Sequence, residues 1–477
     1  MAKSFREWAR ALKMPHTLVI VGALVALVLV LSWVIPSGEF VKVEKVLSTG
    51  KTMLVPVAGS FHVIPKHYLG PETLLLAPIK GFIDGGTLIA FLLIIGGSFC
   101  VFQETGAVEF GIKRLVRSIS RKPALEFLFI PVLMIVFSLA GAIFGMAEEL
   151  IPFVAIFIPM SRALGYDSLV GVAIPFLGSA AGFACAFFNP FTVGVAQGIA
   201  GVPVYSGLGY RIAAWVVVMI VVITYVMLYA RKVKKNPECS PVRDIDLERE
   251  RVEHHAGADE SWDLRHILAL VTFAAAMVLL VFGVLKYKWY MEAIAALFLA
   301  MGVVIGLLSR MGPSTIARHF VSGAKDMVGV VFIVASARAL LVIANDAKIM
   351  DTILYYGSNV IQVLPKGITA QVMFLVQCVI NFFIHSGTAQ AALTMPIMAP
   401  LSDLVGITRQ TCVYSFELCE LVVPILPTSA VAMGVLGAAK LPWERWAKWF
   451  LPLMLILVAL ACLLLVPPTL FFYWGPI

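Results

Sequence analysis

The sequence carries little charge for its length. Of its 477 residues only 13% are Asp, Glu, Lys or Arg and 60% are hydrophobic, whereas a soluble domain carries about 25% charged residues. This shortage excludes an ordinary water-exposed surface. The net charge of +8 favours the positive-inside bias of membrane proteins over nucleic-acid binding, because the basic residues cluster between apolar segments.

The sequence also lacks the short motifs of several kinds of chemistry. Its seven cysteines show no CxxC spacing, which excludes both a disulfide framework and a cysteine-rich zinc motif. There is no HExxH, no GxSxG and no Walker-type phosphate loop. We therefore predict no catalytic residue, no metal centre, no bound cofactor and no ATP-driven pump in this chain.

Long apolar runs are abundant instead. Several reach the roughly 18 residues needed to cross a hydrocarbon core of about 30 Å. The first, Leu18 to Ile35, follows a basic start (Lys3, Arg6, Arg10, Lys13) and has no small-residue cleavage site after it. We predict that 17–36 is an uncleaved first transmembrane helix and that the protein is an all-α polytopic membrane protein.

The basic clusters predict the orientation. They are Lys113–Lys122, Arg231–Lys235, Arg310–Lys325 and Lys440–Lys448. Placing them and the N-terminus in the cytoplasm leaves the C-terminus outside. Residues 37–71 then form an external cap with a small β-hairpin around Ser48–Lys51. Residues 236–263 form a solvated cytoplasmic linker in which Glu253-His254-His255 is a charge run, and 264–290 form a connecting transmembrane helix.

Two halves of the chain repeat one order of motifs, at offsets close to 242 residues. The pairs are Gly70-Pro71 with Gly312-Pro313, Gly145-Met146-Ala147-Glu148 with Gly387-Thr388-Ala389-Gln390, Pro159 with Pro400, and Asn189-Pro190-Phe191-Thr192 with Leu426-Pro427-Thr428-Ser429. The crossing at 264–290 places the second copy upside down. We predict two inverted-topology repeats, 1–235 and 291–477, as in many secondary transporters.

Each repeat contains two interruptions of its apolar helices. The pattern predicts re-entrant hairpins over 124–163 and 369–402, with tips at Gly145–Glu149 and His385–Gln390, and broken helices over 168–199 and 407–438. In hydrocarbon such irregular backbone survives only beside a protein-lined cavity. Taken singly, Asn189-Pro190 or Pro427-Thr428-Ser429 could be packed kinks; taken together, the four interruptions predict a solute site.

Ionisable residues at depth are the second clue, because they usually face a cavity. Four acids (Glu148, Glu149, Glu417, Glu420) accompany one arginine, Arg338, and one histidine, His385. Glu104 and Asp346 are interpreted as interfacial. Arg338 either pairs with one of the four glutamates or clamps a substrate carboxylate. The excess of acids favours a cationic solute, coupling cations or protons.

At these motifs the chain resembles the YfcC/DcuC-type carriers of the ion-transporter superfamily. The resemblance rests on Met14-Pro15-His16-Thr17, Ile35-Pro36-Ser37-Gly38-Glu39-Phe40, Gly145–Glu149, Asn189-Pro190-Phe191, Ala389–Pro400 and Pro427-Thr428-Ser429. It implies a bacterial inner-membrane secondary carrier, with a scaffold and an elevator-type transport domain in a homodimer. It also implies basic amino acids, C4-dicarboxylates or related small solutes as substrates. His385–Gln390 and Glu417–Pro424 depart from the family pattern.

We predict a secondary transporter of a small amino-acid-like solute, of the arginine and ornithine type, coupled to Na⁺ or H⁺ or working by exchange. Its predicted substrate site comprises Glu148, Glu149, Asn189, Pro190, Thr192, Arg338, His385, Ser386, Gly387, Thr388, Gln390, Glu417, Glu420, Thr428 and Ser429. Its predicted coupling-ion site comprises Gly145, Glu148, Asn189, Ser386 and Thr428. The alternatives are a C4-dicarboxylate carrier of the same fold, a channel and an intramembrane enzyme.

Overall fold

The computed structural model describes residues 17–46, 52–57, 59–108, 110–111, 114, 123–255, 264–287, 289, 291–362 and 364–475. Three features singled out from the sequence lie outside these residues. They are the basic start with Lys3, Arg6, Arg10 and Lys13, the hairpin turn Ser48–Lys51, and most of the basic cluster at 113–122. The last part of the linker, 256–263, and the side chains of Glu253, His254 and His255 lie outside them as well.

The chain is mostly helical, as its apolar runs predict. The first half contains α1 Thr17–Val34, α2 Thr73–Asp84, α3 Gly86–Gln103, α4 Pro123–Phe144, α5 Ile151–Ala163, α6 Ser168–Ala184, α7 Val195–Ala200 and α8 Leu208–Lys235. Helices α9 Arg243–His255 and α10 Leu264–Tyr287 connect the halves. The second half contains α11 Met291–Leu308, α12 Pro313–Asp326, α13 Val328–Asp346, α14 Met350–Gln362, α15 Lys366–Asn381, α16 Gly387–Leu404, α17 Arg409–Leu418, α18 Ala430–Ala438, α19 Trp443–Leu464 and α20 Val466–Leu470.

Several helical stretches are long and apolar enough to cross a membrane. Within the described ranges there are six: Gly86–Gln103, Leu208–Lys235, Met291–Leu308, Val328–Asp346, Arg409–Ala438 and Trp443–Leu470. Shorter apolar helices, such as Ser168–Ala184, lie between them. The protein is therefore a multi-pass membrane protein.

A small strand cap follows α1. Strand β2 (Lys42–Val46) pairs antiparallel with β3 (Thr52–Pro56), and β1 (Gly38–Glu39) pairs with β4 (His62–Val63). The hydroxyl of Ser37 donates to the carbonyl of Ala347 at 2.8 Å, and the Phe40 N–H donates to Asp351 at 3.2 Å. The cap is thus tied to the connection between α13 and α14.

Residues with a left-handed backbone conformation recur at helix ends in the two halves of the chain. Left-handed residues end or follow matching helices at Gly106 and Lys348, at Gly165 and Gly406, and at Gly201 and Lys440, with φ between 48° and 83°. The members of these pairs are 242, 241 and 239 residues apart. A left-handed residue is a common way to end a helix, and these three pairs recur at similar spacings in the two halves of the chain.

The described part of the linker differs from the solvated segment that its charge predicts. Helix α9 docks through Asp246, only 4% exposed, whose carboxylate accepts the Ser168 N–H at 3.0 Å. Arg445 holds Asp244 at the start of the same helix, and these hydrogen bonds lower the pKa of the Asp244 carboxyl. The buried contact of Asp246 and the more exposed ion pair of Asp244 keep this charged helix on the body of the protein.

Candidate functional site

The first hairpin reverses the chain at Gly145. Helix α4 ends at Phe144, one 3₁₀ turn spans Glu148–Leu150, and α5 then begins. The ring of Phe137 lies 5.2 Å from that of Phe153 and 5.4 Å from that of Phe157. A continuous helix would separate Phe137 from Phe157 by about 30 Å, so the two arms run back along each other.

Side-chain amides hold the two arms of the second hairpin together. Gln390 in α16 donates through Nε2 to the carbonyl oxygen of Gln377 at 3.0 Å and to its side-chain oxygen at 2.9 Å. Asn381 donates to Oε1 of Gln390 at 2.9 Å and to Oε1 of Glu420 at 3.3 Å. These bonds join the two arms to each other and to the 3₁₀ helix Cys419–Ile425, which contains Glu420.

Glycines bring the first broken helix against the first hairpin. A Cβ on Gly178 of α6 would lie 2.8 Å from the carbonyl oxygen of Met134 in α4, and one on Gly171 would lie 2.7 Å from Cα of Ile158 in α5. Only residues without a side chain permit backbones to approach this closely, as at many membrane helix interfaces. The hairpin tip and the break in the helix are consequently neighbours.

Hydrogen bonds join the second tip to the breaks in both helices. The side chain of Asn189 accepts from the N–H of Phe191 at 2.8 Å, and that of Ser429 accepts from Ala432 at 3.2 Å, so each caps the helical turn that follows. The hydroxyl of Thr388 donates to the carbonyl of Phe191 at 2.9 Å. His385 Nε2 lies 2.9 Å from Oγ1 of Thr428. The second tip therefore contacts both breaks.

A cavity of about 390 Å³ opens between these elements. We call it the central cavity. The predicted site residues that line it are Gly145, Glu148, Arg338, His385, Ser386, Gly387, Thr388, Glu420, Thr428 and Ser429. Apolar and aromatic side chains complete the wall: Phe176, Phe183, Phe191, Leu341 and Phe383. Such a mixture of apolar walls with a few convergent polar groups is typical of small-molecule sites.

Six predicted residues do not line the central cavity, and five of them hold its backbone. Glu149, 7% exposed, accepts the Ala147 N–H at 2.9 Å and so shapes the first tip. Asn189 and Gln390 make the bonds described above, Pro190 begins the turn at the break, and buried Thr192 packs its methyl group towards Gly387. Glu149 and Gln390 thus use their polar atoms in hydrogen bonds to the protein, whereas Nδ2 of Asn189 and Oγ1 of Thr192 are buried with no hydrogen-bond partner among the described residues.

Glu417 is the sixth residue, and its predicted role needs correction. It forms an ion pair with Arg211 of α8, and both side chains are fully buried. The Arg211 guanidinium also lies 5.4 Å from the ring centres of Tyr414 and Trp474. The charge count made from the sequence was therefore wrong, because Arg211 neutralises one of the four acids away from the central cavity.

The sequence around Arg211 does not indicate that this arginine is buried. It lies four residues into α8, at the position where many transmembrane helices carry an interfacial arginine. The signal that could have revealed Arg211 is Glu417. The sequence offered no obvious cationic partner for this acid, and a buried carboxylate requires one.

Arg338 has a partner other than the four glutamates. Its Nη1 lies 3.4 Å from Oδ2 of Asp84 at the end of α2, and the two side chains are 34% and 45% exposed. Both residues also line a second opening of about 510 Å³ with Trp289 and Glu292. Among the described residues, Arg338 thus forms its ion pair with Asp84, and its side chain also lies on the wall of the central cavity.

We expect Gly145→Ala to disrupt the first tip. Gly145 has φ +74°, and an added Cβ would lie 2.6 Å from Oδ1 of Asn189, so the alanine meets both backbone strain of about 1–2 kcal/mol and a clash. Uptake into proteoliposomes should fall severely. Gly86→Ala is the matched control, because a Cβ there meets nothing within 4 Å. Equal activity of the two variants would contradict this account of the tip.

Comparison with known proteins places the chain in a family. It is 38% identical, over 94% of this chain and 94% of the relative, to a protein of Escherichia coli K12 named "Putative basic amino acid antiporter YfcC". It is 28% identical, over 95% and 96% of the two chains, to an uncharacterized protein of Haemophilus influenzae Rd.

Two solved structures share low sequence identity with it. They are Neisseria gonorrhoeae MtrF, described within a class of antimetabolite efflux pumps, and the Alcanivorax borkumensis YdaH transporter. Each is 16% identical; the TM-scores are 0.40 and 0.38, covering 98% and 97% of this chain and 97% and 100% of the solved chains.

The family model for the C4-dicarboxylate anaerobic carrier DcuC matches residues 14–469, almost the whole chain. The resemblance seen in the sequence motifs is thereby confirmed, as is the interpretation as a carrier rather than an enzyme. The chain belongs to the DcuC family and is a multi-pass membrane transporter.

Proposed function

We propose that this transporter carries a small amino-acid-like solute with a cationic side chain, of the arginine and ornithine type. The observation that carries the proposal is the placement of two carboxylates, Glu148 and Glu420, and one guanidinium, Arg338, on the wall of one central cavity. A zwitterion with an added positive charge has one carboxylate and two cationic groups. The cavity walls offer the complementary set.

Each charged group of such a solute has a suited partner. Arg338 can present a planar fork to the α-carboxylate. Glu148 and Glu420 can accept hydrogen bonds from the amino and guanidino groups. The hydroxyls of Ser386, Thr388, Thr428 and Ser429 supply further polar contacts at the tips and breaks, and the aromatic wall covers the aliphatic stem of the solute.

Coupling and movement form part of the same proposal. Na⁺ or H⁺ would act near Gly145, Glu148, Asn189, Ser386 and Thr428, or a second solute would be exchanged. The recurring helix ends support an internal repeat, and the crossing predicted at 264–290 would place the second copy in inverted topology. We propose that hairpins and broken helices move as one elevator-type domain against a scaffold, within a homodimer of the bacterial inner membrane whose N-terminus is cytoplasmic and whose C-terminus is external.

The test is uptake of labelled arginine, ornithine and lysine by the purified protein in liposomes, with succinate as competitor. We expect uptake that the basic amino acids inhibit and succinate does not. Glu148→Gln should lower it roughly 10- to 100-fold, since a hydrogen bond to a charged group contributes about 1.5–3 kcal/mol. Glu44→Gln, on an exposed cap residue, is the control. Uptake unaffected by Glu148→Gln would refute the assignment.

A C4-dicarboxylate is the second candidate, and two observations favour it. The family description names such a carrier, and the N-termini of α16 and α18, capped by Ser386 and Ser429, lie at the central cavity. Helix N-termini favour anions. Inhibition by succinate together with indifference to arginine would establish this candidate in place of the first.

A further inference from the structure

A second cluster of reactive side chains lies away from the central cavity, where α3 packs against α12. Within the described part of the chain, one ligand atom each of Cys100, Glu104 and His319 lies within 4.8 Å of the others. Nδ1 of His319 is 3.7 Å from Oε2 of Glu104. None of the three lines the central cavity, so the transport site leaves this cluster unexplained.

Helix geometry and close packing hold the cluster together. Cys100 and Glu104 are four residues apart at the end of α3 and therefore share one face. His319 projects from α12, which approaches α3 through small residues: a Cβ on Gly323 would lie 2.5 Å from Cβ of Cys100, and one on Gly97 would lie 2.7 Å from the ring of Phe320. The three side chains thus stand on two closely packed helices, which limits how far they can separate.

The donor set identifies the kind of ligand. A thiolate, an imidazole and a carboxylate together suit Zn²⁺ and similar transition metals, whereas Mg²⁺ and Ca²⁺ prefer oxygen alone. In a tetrahedral zinc site with bonds of about 2.0–2.3 Å, neighbouring ligand atoms lie roughly 3.5 Å apart. The 3.7 Å between His319 and Glu104 is already close to that spacing. The Cys100 sulfur lies within 4.8 Å of both ligand atoms, and a rotation of its side chain can bring it closer.

There is room for a further ligand beside the cluster. Of the three proposed ligands, Cys100 lines a cavity of about 700 Å³ together with Asp326, Lys440 and residues of the linker helix α9. The side chains of His319 and Glu104 are 30% and 51% exposed. Three protein ligands with one position left to water is the arrangement of zinc sites that keep an exchangeable position. The cavity gives an ion access from the side of the molecule that carries α9.

We propose that Cys100, Glu104 and His319 form a binding site for a transition-metal ion of the Zn²⁺ class, with water as the fourth ligand. Binding replaces the thiol proton, which passes to solvent, and forms metal bonds to sulfur, nitrogen and oxygen. The ion joins α3 to α12 beside the cavity that α5, α9 and the end of α18 also line. This site lies apart from the central cavity, so the proposal is independent of what the transported solute is.

The test uses Co²⁺ as a spectroscopic substitute for Zn²⁺. Tag-free full-length protein in detergent is titrated with Co²⁺, and we expect a thiolate-to-cobalt charge-transfer band that saturates at one ion per chain and is removed by Zn²⁺. Cys100→Ser should abolish the band. Cys462→Ser, on a half-buried cysteine of α19, should leave it unchanged. A band that survives Cys100→Ser, or that both substitutions remove, overturns the proposal.

A second measurement is independent of how well the cysteine variant folds. Competition for Zn²⁺ against a colorimetric chelator should show an affinity at least about tenfold weaker in His319→Asn and in Glu104→Gln than in the native protein. Zn²⁺ should also raise the thermal midpoint of the native protein, because it binds only the folded state, and should do so less in both variants. Equal affinity in all three proteins would overturn the site.

Discussion

Arg211→Met is expected to lower the free energy of unfolding by about 3–5 kcal/mol, the usual cost of leaving one charge of a buried pair alone. The substitution removes the fully buried partner of Glu417. Glu417, on the second broken helix, then faces α8 with no other ion-pair partner among the residues that the structure describes. Thermal unfolding of the purified protein in detergent, followed by intrinsic tryptophan fluorescence, measures the loss.

The double variant Arg211→Met, Glu417→Met separates charge from packing. It removes both ions, and replacing a buried pair with apolar groups of similar size is often neutral or stabilising. We therefore expect it to recover most of the stability that Arg211→Met loses. Arg231→Met, at the exposed far end of the same helix, should change little. A double variant less stable than Arg211→Met would show that the unpaired charge of Glu417 is not the cause of the lost stability.

Arg338→Lys is expected to weaken solute binding roughly tenfold, because a hydrogen bond to a charged group contributes about 1.5–3 kcal/mol. Lysine keeps the positive charge but loses the planar fork that binds a carboxylate at two points. We expect the lower end of that range because the Arg338 side chain is 34% exposed. The concentration dependence of uptake into proteoliposomes should show this as a raised KM. Arg318→Lys, on an exposed arginine of α12, is the matched control.

A variant of Asp84 distinguishes direct solute binding by Arg338 from an effect on the position of its guanidinium. Its carboxylate lies 3.4 Å from Arg338, so Asp84→Asn would release the guanidinium without removing it. We expect a smaller rise in KM for Asp84→Asn than for Arg338→Lys. The assignment of Arg338 as a solute contact would be contradicted by a normal KM in Arg338→Lys, or by an effect that Asp84→Asn reproduces in full.

The helices and their interruptions could be predicted because their signals are local. Long apolar runs require a low-dielectric surrounding, and Gly145, Asn189-Pro190 and Pro427 break the backbone where they stand. The structure places helix ends at Phe144, Ala184 and Ile425, close to these interruptions. The residues at the tips then meet at one cavity, since both hairpins pack beside the broken helices.

The sequence by itself therefore determined the class of protein, the order of its helices and the places where they break. Only the tertiary structure decided which polar side chains face the central cavity and which face each other. Glu417 and Glu420 are three residues apart, yet one pairs with Arg211 and the other lines the cavity. The partners Arg211 and Asp84 come from helices distant in sequence, and α9 docks through buried Asp246. The physical reason is that a charge in a membrane protein takes the nearest opposite charge in space, and that distance depends on the packing of the whole chain.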